Sequence, residues 1–97
     1  MAYNVAVVGA TGAVGREMLQ TLFERKFPVK NIYALASKSS IGKEVSYGDD
    51  KVLKVKSVDD FNFENVDIAL FSAGSNIAKK FGPIAGNKGC IVIDNSS

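Results

Sequence analysis

Val5-Ala6-Val7-Val8 is apolar at every position, with Asn4 before it and Gly9 after it. A run of this kind predicts a strand covered on both faces, as in a parallel sheet sandwiched by helices. From Ala13 to about Lys26 the spacing becomes helical. Val14, Met18 and Leu22 line one stripe with Leu19 beside it, while Arg16, Glu17, Gln20, Glu24 and Arg25 fall mostly elsewhere. Pro28 is expected to stop that helix. Ile32 to Ala36 reads as a second short strand. The crossover between the two strands is short and helical, so they should run parallel with a right-handed connection.

The pattern changes between Lys43 and Lys56. Val45 and Tyr47 alternate with polar residues, Gly48-Asp49-Asp50 marks a turn, and Val52, Leu53 and Val55 follow. This predicts a strand, a turn and a further strand, partly exposed. Val58 to Phe63 reads as a turn or a short helix. Asp67-Ile68-Ala69-Leu70-Phe71 reads as a central strand ending at the small-residue turn Ser72-Ala73-Gly74. Ser75 is a candidate cap for a helix running through Ile77, Ala78, Phe81 and Ile84. Pro83 should bend or restart that helix, because it lacks an N–H and crowds the preceding turn. Cys90-Ile91-Val92-Ile93 predicts a last buried strand, closed by Asp94-Asn95-Ser96-Ser97.

Strands alternate with helices throughout. The fold class that follows is α/β, a doubly wound, Rossmann-type, mostly parallel sheet flanked by helices, with strand order 3-2-1-4-5. Residues 1–97 are one domain. A ligand of such a sheet lies beyond the C-terminal ends of its strands. Gly9, Ser37, Ser72 and Asn95 all fall at such ends, so four loops should converge on one crevice.

Composition narrows the classes. The chain has 97 residues, 46% hydrophobic and 23% charged, with a net charge of +2. A chain of this length buries roughly 65% of its unfolded surface, enough for a modest core. The charge is too small and its lysines too scattered to argue for nucleic acid or an anionic membrane, and Lys79-Lys80 reads as a solvated helix face. No apolar run approaches the ~20 residues that span a bilayer, and the N-terminus lacks the shape of a signal peptide. One cysteine excludes an internal disulfide; the expectation is a soluble cytoplasmic protein. With no histidine and no Cys/His cluster, no metal site is expected.

The candidate chemistry lies in Gly9-Ala10-Thr11-Gly12-Ala13-Val14-Gly15, set between the first strand and the first helix. Glycines allow a tight turn and close approach to a pyrophosphate, and the helix N-terminus offers free N–H groups and a partial positive charge. This is a dinucleotide cradle. NAD-binding units usually place a carboxylate at the end of the second strand to hold the ribose 2′-OH. Here that place holds Ala36-Ser37-Lys38-Ser39-Ser40, with Lys43 close behind and no carboxylate until Glu44. Hydroxyls and ammonium groups suit a 2′-phosphate, which favours NADP over NAD. The cofactor-binding set is therefore Gly9, Thr11, Gly12, Ala13, Val14, Gly15, Ser37, Lys38, Ser39, Ser40, Lys43, Ser72, Ala73, Gly74, Asn95 and Ser96. Asn95 and Ser96 are placed near the nicotinamide. Asp49-Asp50 and Asp59-Asp60 read as solvated turns rather than acid/base pairs.

The stretch from Val5 to Leu19 closely resembles the start of bacterial aspartate-semialdehyde dehydrogenases. So do Ala36-Ser37 with Ser40 and Gly42-Lys43, the segment Asp67 to Ser75, and Val92-Ile93-Asp94-Asn95-Ser96-Ser97. The resemblance runs through the whole chain with matching spacings. It implies an enzyme that uses NADPH to convert L-aspartyl phosphate to L-aspartate semialdehyde with release of phosphate. That step serves lysine, threonine, methionine and diaminopimelate synthesis. It also implies a cysteine nucleophile that forms a thioester and a histidine acid/base. The family often has an arginine beside the 2′-phosphate, and here Ser39 stands at that place with Lys38 adjacent. Lysine lacks the arginine fork, so either NADP preference is weaker or Lys38 and Lys43 take over the contact.

No residue of this chain is assigned to catalysis. It has no histidine, and Cys90 lies at the start of an apolar strand, where a thiol is inert packing. The expectation is the N-terminal NADP-binding part of a longer, homo-oligomeric enzyme, with the 97-residue chain binding cofactor without turnover and able to be a monomer. Two alternatives stand beside it. One is the N-terminal domain of N-acetyl-glutamyl-phosphate reductase, against which Ser72 to Ser75 and Asp94 to Ser97 weigh. The other is a non-catalytic NADP-sensing module.

Overall fold

The structure is a computed structural model that describes residues 2–95. Its spine is a parallel five-stranded sheet. The strands and helices in chain order are β1 (Tyr3–Val8), α1 (Ala13–Glu24), β2 (Val29–Ala36), β3 (Glu44–Tyr47), β4 (Lys51–Lys54), β5 (Lys56–Ser57), β6 (Ile68–Phe71), α2 (Ser75–Asn87) and β7 (Ile91–Asp94). The sheet order is β5-β2-β1-β6-β7, while β3 and β4 pair antiparallel as a separate hairpin. The predicted 3-2-1-4-5 order is present. Its third strand is β5, two residues long, which pairs Lys56 with Leu35 and Ser57 with Ala36.

β1 is central, and Val5, Ala6, Val7 and Val8 are all buried. Its alternate residues feed two cores. Ala6 and Val8 join Leu35, Ala69, Phe71, Ala78, Phe81 and Ala85 on the α2 face. Val5 and Val7 join Leu19, Ile32, Ala34, Val45, Leu53 and Val55 on the α1 face. The β3–β4 hairpin extends that second core by folding over α1. Phe23 of α1 meets Tyr47 edge-on at 5.6 Å between ring centroids. Val58–Asp60 and Phe63–Asn65 are single 3₁₀ turns, each opened by a polar side chain: Ser57 Oγ accepts from Asp59 N–H, and Asn62 Oδ1 accepts from Glu64 N–H.

Several sequence expectations need correction. The buried residues of α1 are Gly15 and Leu19, whereas Val14 is 45% exposed. The helix sits close over its own loop at Gly15, which leaves Val14 at the rim while Met18 and Leu22 of the predicted stripe pack half-buried against the core. Pro28 does not end α1, which stops at Glu24. Lys26 takes the left-handed conformation (φ 54°), Lys26 N–H reaches Phe23 O at 3.1 Å and Phe27 N–H reaches Leu22 O at 3.0 Å. That is a Schellman closure with lysine where glycine is usual. β2 consequently begins at Val29 rather than Ile32.

The N-cap of α2 is Gly74 (φ 96°), not Ser75, and it caps without a side-chain bond. α2 runs through Pro83 as one helix. The carbonyl that Pro83 cannot serve belongs to Lys79, an exposed residue, so water can serve it. β7 is not buried. It is an edge strand in register with β6, and Ile91 and Ile93 are 62% and 49% exposed. α2 covers only the opposite face, where Val92 packs. Ile68, Leu70, Ile91 and Ile93 share the α1 face of β6 and β7; Ile68 and Leu70 are half-buried against the α1-side core, and Ile91 and Ile93 are left exposed.

Candidate functional site

The loop from Gly9 to Gly12 is fixed before any ligand enters. Gly9 and Ala10 N–H donate to the Leu35 carbonyl at 2.8 and 3.1 Å, tying the loop to the end of β2. Gly12 N–H turns back to the Gly9 carbonyl at 3.1 Å, and Arg16 N–H takes the Gly12 carbonyl at 3.0 Å as the first α-helical bond. The first-turn N–H groups of Ala13, Val14 and Gly15 are left to face outward. No acidic residue stands in that first turn to neutralise the helix end.

The glycines divide into two kinds. A Cβ on Gly15 would lie 2.1 Å from the Gly9 carbonyl oxygen, and one on Gly9 would lie 2.8 Å from the Ala73 backbone. These two are demanded by the packing of helix on loop and of loop on loop. Gly12 is not. Its φ is −79°, and an added Cβ would meet only Gly9 O at 3.6 Å, an ordinary contact. Nothing among the described residues requires Gly12 to be bare. The space a side chain would take lies at a helix N-terminus, where a phosphate fits.

Beside this loop opens a crevice of about 290 Å³ at the C-terminal ends of the strands. Its walls include Gly9, Thr11 and Gly12 from the β1 loop, Ser37 and Ser40 after β2, and Ser72 and Ala73 after β6. None of the residues lining it is acidic. Ser72 Oγ donates to the Val8 carbonyl at 3.2 Å, so its hydroxyl also links the ends of β6 and β1. Ser37 and Ser39 join Oγ to Oγ at 2.9 Å within a 3₁₀ turn over Lys38–Ser40. Lys38 within that turn and Lys43 beyond it are exposed, and Gly42 (φ 93°) turns the chain between them.

Of the sequence-derived set, Gly9, Thr11, Gly12, Ser37, Ser40, Ser72 and Ala73 converge on the crevice wall. Ala13, Val14 and Gly15 form the first turn of α1 behind it. Lys38, Ser39 and Lys43 lie on the loop beyond β2, and Gly74 caps α2. Asn95 is separate. It continues the β6–β7 ladder through its N–H to the Phe71 carbonyl at 2.8 Å, and it borders a groove with Val14, Met18, Leu22 and Leu70. Ser96 lies outside the described residues.

Val58 and Ile77 also line the crevice and were not singled out from sequence. Val58 follows directly on β5. Recognising Lys56-Ser57 as the third parallel strand would have put Val58 at a strand end like the other site residues.

Cys90 lies just before β7, at the end of the sheet away from the crevice, with its thiol buried. Its Sγ–H faces the Val66 carbonyl at 3.1 Å and the Phe63 carbonyl at 3.4 Å. Burial pushes the thiol pKa up, and the Asp67 carboxylate adds to the effect. Both favour the neutral, unreactive form. Asp49, Asp50, Asp59 and Asp60 are exposed in turns. No group of His, Cys, Asp and Glu that could hold a metal occurs among the described residues, and no helix among them is long and apolar enough to cross a membrane.

Known proteins match this chain in sequence and in fold. A family described as "Semialdehyde dehydrogenase, NAD binding domain" matches residues 4–97. The chain is 61% identical over 95 residues to an aspartate-semialdehyde dehydrogenase of Rickettsia bellii, covering 98% of this chain and 28% of that protein. It superposes with a TM-score of 0.94 on the crystal structure of aspartate semialdehyde dehydrogenase II from Vibrio cholerae, at 47% identity, covering 100% of this chain and 29% of the other. An aspartate semialdehyde dehydrogenase structure with NADP from Candida albicans shares the fold at a TM-score of 0.72 and 20% identity, covering 100% of this chain and 30% of that one. The chain thus spans less than a third of the length of these relatives.

Proposed function

The chain belongs to the semialdehyde dehydrogenase family, whose NAD-binding domain it matches over residues 4–97, and we propose that it is the NADP-holding part of an aspartate-semialdehyde dehydrogenase. The observation that carries this reading is Gly12, bare beside the crevice although no close contact among the described residues demands it. The pyrophosphate sits against the Thr11–Val14 backbone at the N-terminus of α1. Thr11 and Ser72 flank the dinucleotide, and Ala73 and Gly74 leave room along its edge. Ser37, Ser39 and Ser40 with Lys38 and Lys43 receive the adenosine 2′-phosphate. Hydroxyls and ammonium groups there attract a dianion, and no carboxylate lines the crevice to repel it. Lysines supply charge without the bidentate arginine fork.

When bound, the cofactor supplies a hydride. The reaction of the whole enzyme is the reductive dephosphorylation of L-aspartyl phosphate to L-aspartate semialdehyde. This chain's residues bind and orient the dinucleotide, and the nucleophile and acid/base come from polypeptide beyond these residues. Cys90 takes no part, being buried at the wrong end of the sheet. The test is phosphate-dependent reduction of NADP by aspartate semialdehyde. A full-length protein carrying this domain should turn over and the 97-residue chain should not. Turnover by the purified 97-residue chain, or an inactive full-length protein, would overturn the assignment.

A further inference from the structure

Arg16 stands four residues after Gly12, at the fourth position of α1. Its Nε–H donates to the Thr11 carbonyl at 3.1 Å. The same peptide plane carries Gly12 N–H, which donates to the Gly9 carbonyl at 3.1 Å. The Thr11–Gly12 peptide is therefore tied at both ends, one by backbone and the other by a single side chain. Untied, that peptide could rotate and bring a carbonyl oxygen toward the incoming phosphate.

The charge of Arg16 is also out of place for helix stability alone. A cation near a helix N-terminus opposes the macrodipole. Arg16 makes no ion pair among the described residues, and no acidic residue stands in the first turn. Guanidinium charge and helix end therefore reinforce one another at the place where an anion is to sit.

We propose that Arg16 is a positioning residue for the dinucleotide: by holding the Thr11 carbonyl it keeps that oxygen turned away from the pyrophosphate, which the free N–H groups of the first turn of α1 receive. The inference rests on the cofactor site proposed above. Its role is played through the loop, so it should matter to ligands that carry the pyrophosphate and not to those that lack it.

The test compares the 97-residue chain with Arg16→Gln and Arg16→Lys. Binding of NADPH and of ADP-ribose is titrated by calorimetry, and binding of adenosine 2′-monophosphate, which has no pyrophosphate, by NMR. Arg16→Gln should raise Kd about tenfold for NADPH and ADP-ribose, as loss of one charge-assisted hydrogen bond does. Adenosine 2′-monophosphate should bind it as it binds the wild type. Arg16→Lys, which keeps the charge and a donor, should recover part of the loss. Unchanged NADPH affinity in Arg16→Gln would overturn the inference while leaving the cofactor site standing. A parallel loss for adenosine 2′-monophosphate would reassign Arg16 to general structure. A wild-type chain that binds neither NADPH nor ADP-ribose would overturn the cofactor site and this inference together.

Discussion

One methyl group separates the two jobs done by the glycines of the β1–α1 loop. In Gly15→Ala the new Cβ would lie 2.1 Å from a backbone oxygen, so helix and loop must move apart. Overpacking costs about 3 kcal/mol and outweighs the ~1 kcal/mol that alanine gains in a helix. The melting temperature should fall by about 10 °C. Gly12→Ala meets no such obstacle and should hold stability within about 1 kcal/mol of the wild type, while its NADPH affinity falls. Thermal melts of the two variants check this, and equal losses would refute the division of roles. From sequence the three glycines looked alike, because spacing carries no information about which carbonyl stands over which Cα.

Cys90 gives a second residue-scale prediction. Its raised pKa means that the folded state keeps the proton longer than the unfolded chain does. The associated stability is present at neutral pH and is lost as pH rises past the ordinary thiol range of about 8.5 toward the folded-state value. Denaturant melts should show wild-type stability declining above that pH more steeply than in Cys90→Ala. Ellman's reagent at pH 8 should meet the thiol only after denaturant is added. Immediate labelling of the native protein would show that Cys90 is not walled in. Its inertness was legible from the apolar run that follows it; its two carbonyl partners, Phe63 and Val66, were not, since both come from a distant turn.

Among the elements, α2 offers the clearest test. Pro83 sits in the interior of a continuous 13-residue helix and is exposed. Replacing it with alanine restores an N–H for the Lys79 carbonyl and removes the ring clash, effects of about 3 kcal/mol in a helix interior. Part is returned because the unfolded chain regains freedom worth about 1 kcal/mol. Pro83→Ala should therefore raise the melting temperature by several degrees, and a lower value would show that the ring packs usefully where it is. The elements themselves were largely legible. Val5 to Val8 and Asp67 to Phe71 are short apolar runs, and their short length and the glycine or small-residue turn that closes each decide for strand over buried helix. What failed were boundaries and faces. Lys26 closes α1 in a conformation that glycine usually takes, so no residue type announced the stop. β5 is too short to leave a periodic signal. β7 reads as buried because Ile91 and Ile93 are apolar, yet exposure depends on whether a helix covers that side of the sheet.

At the scale of the molecule, the two faces of the sheet are treated unequally. α2 closes one face over β6 and β7. On the other, Ile68 and Leu70 are half-buried, and Ile91, Ile93 and Val14 stand exposed around the groove that Leu70 shares with Met18 and Leu22. An apolar surface of this kind should bind a hydrophobic dye such as ANS in the folded 97-residue chain. The double substitution Ile91→Lys with Ile93→Lys should abolish the dye signal and leave NADPH affinity unchanged, because the crevice lies at the strand ends and is lined by neither residue. Persistence of the signal in the double variant would place the exposed surface elsewhere.

Whether the crevice beside Gly12 holds a dinucleotide is decided by calorimetric titration of NADPH into the 97-residue chain and into Gly12→Leu. The wild type should bind one NADPH per chain and bind it more tightly than NADH. The variant should fold, with stability within about 1 kcal/mol of the wild type because its backbone φ suits any residue, yet show no binding, because the side chain fills the place of the pyrophosphate. Equal NADPH affinity in a folded Gly12→Leu protein, or no binding by the wild type, would mean that the pyrophosphate does not sit beside Gly12.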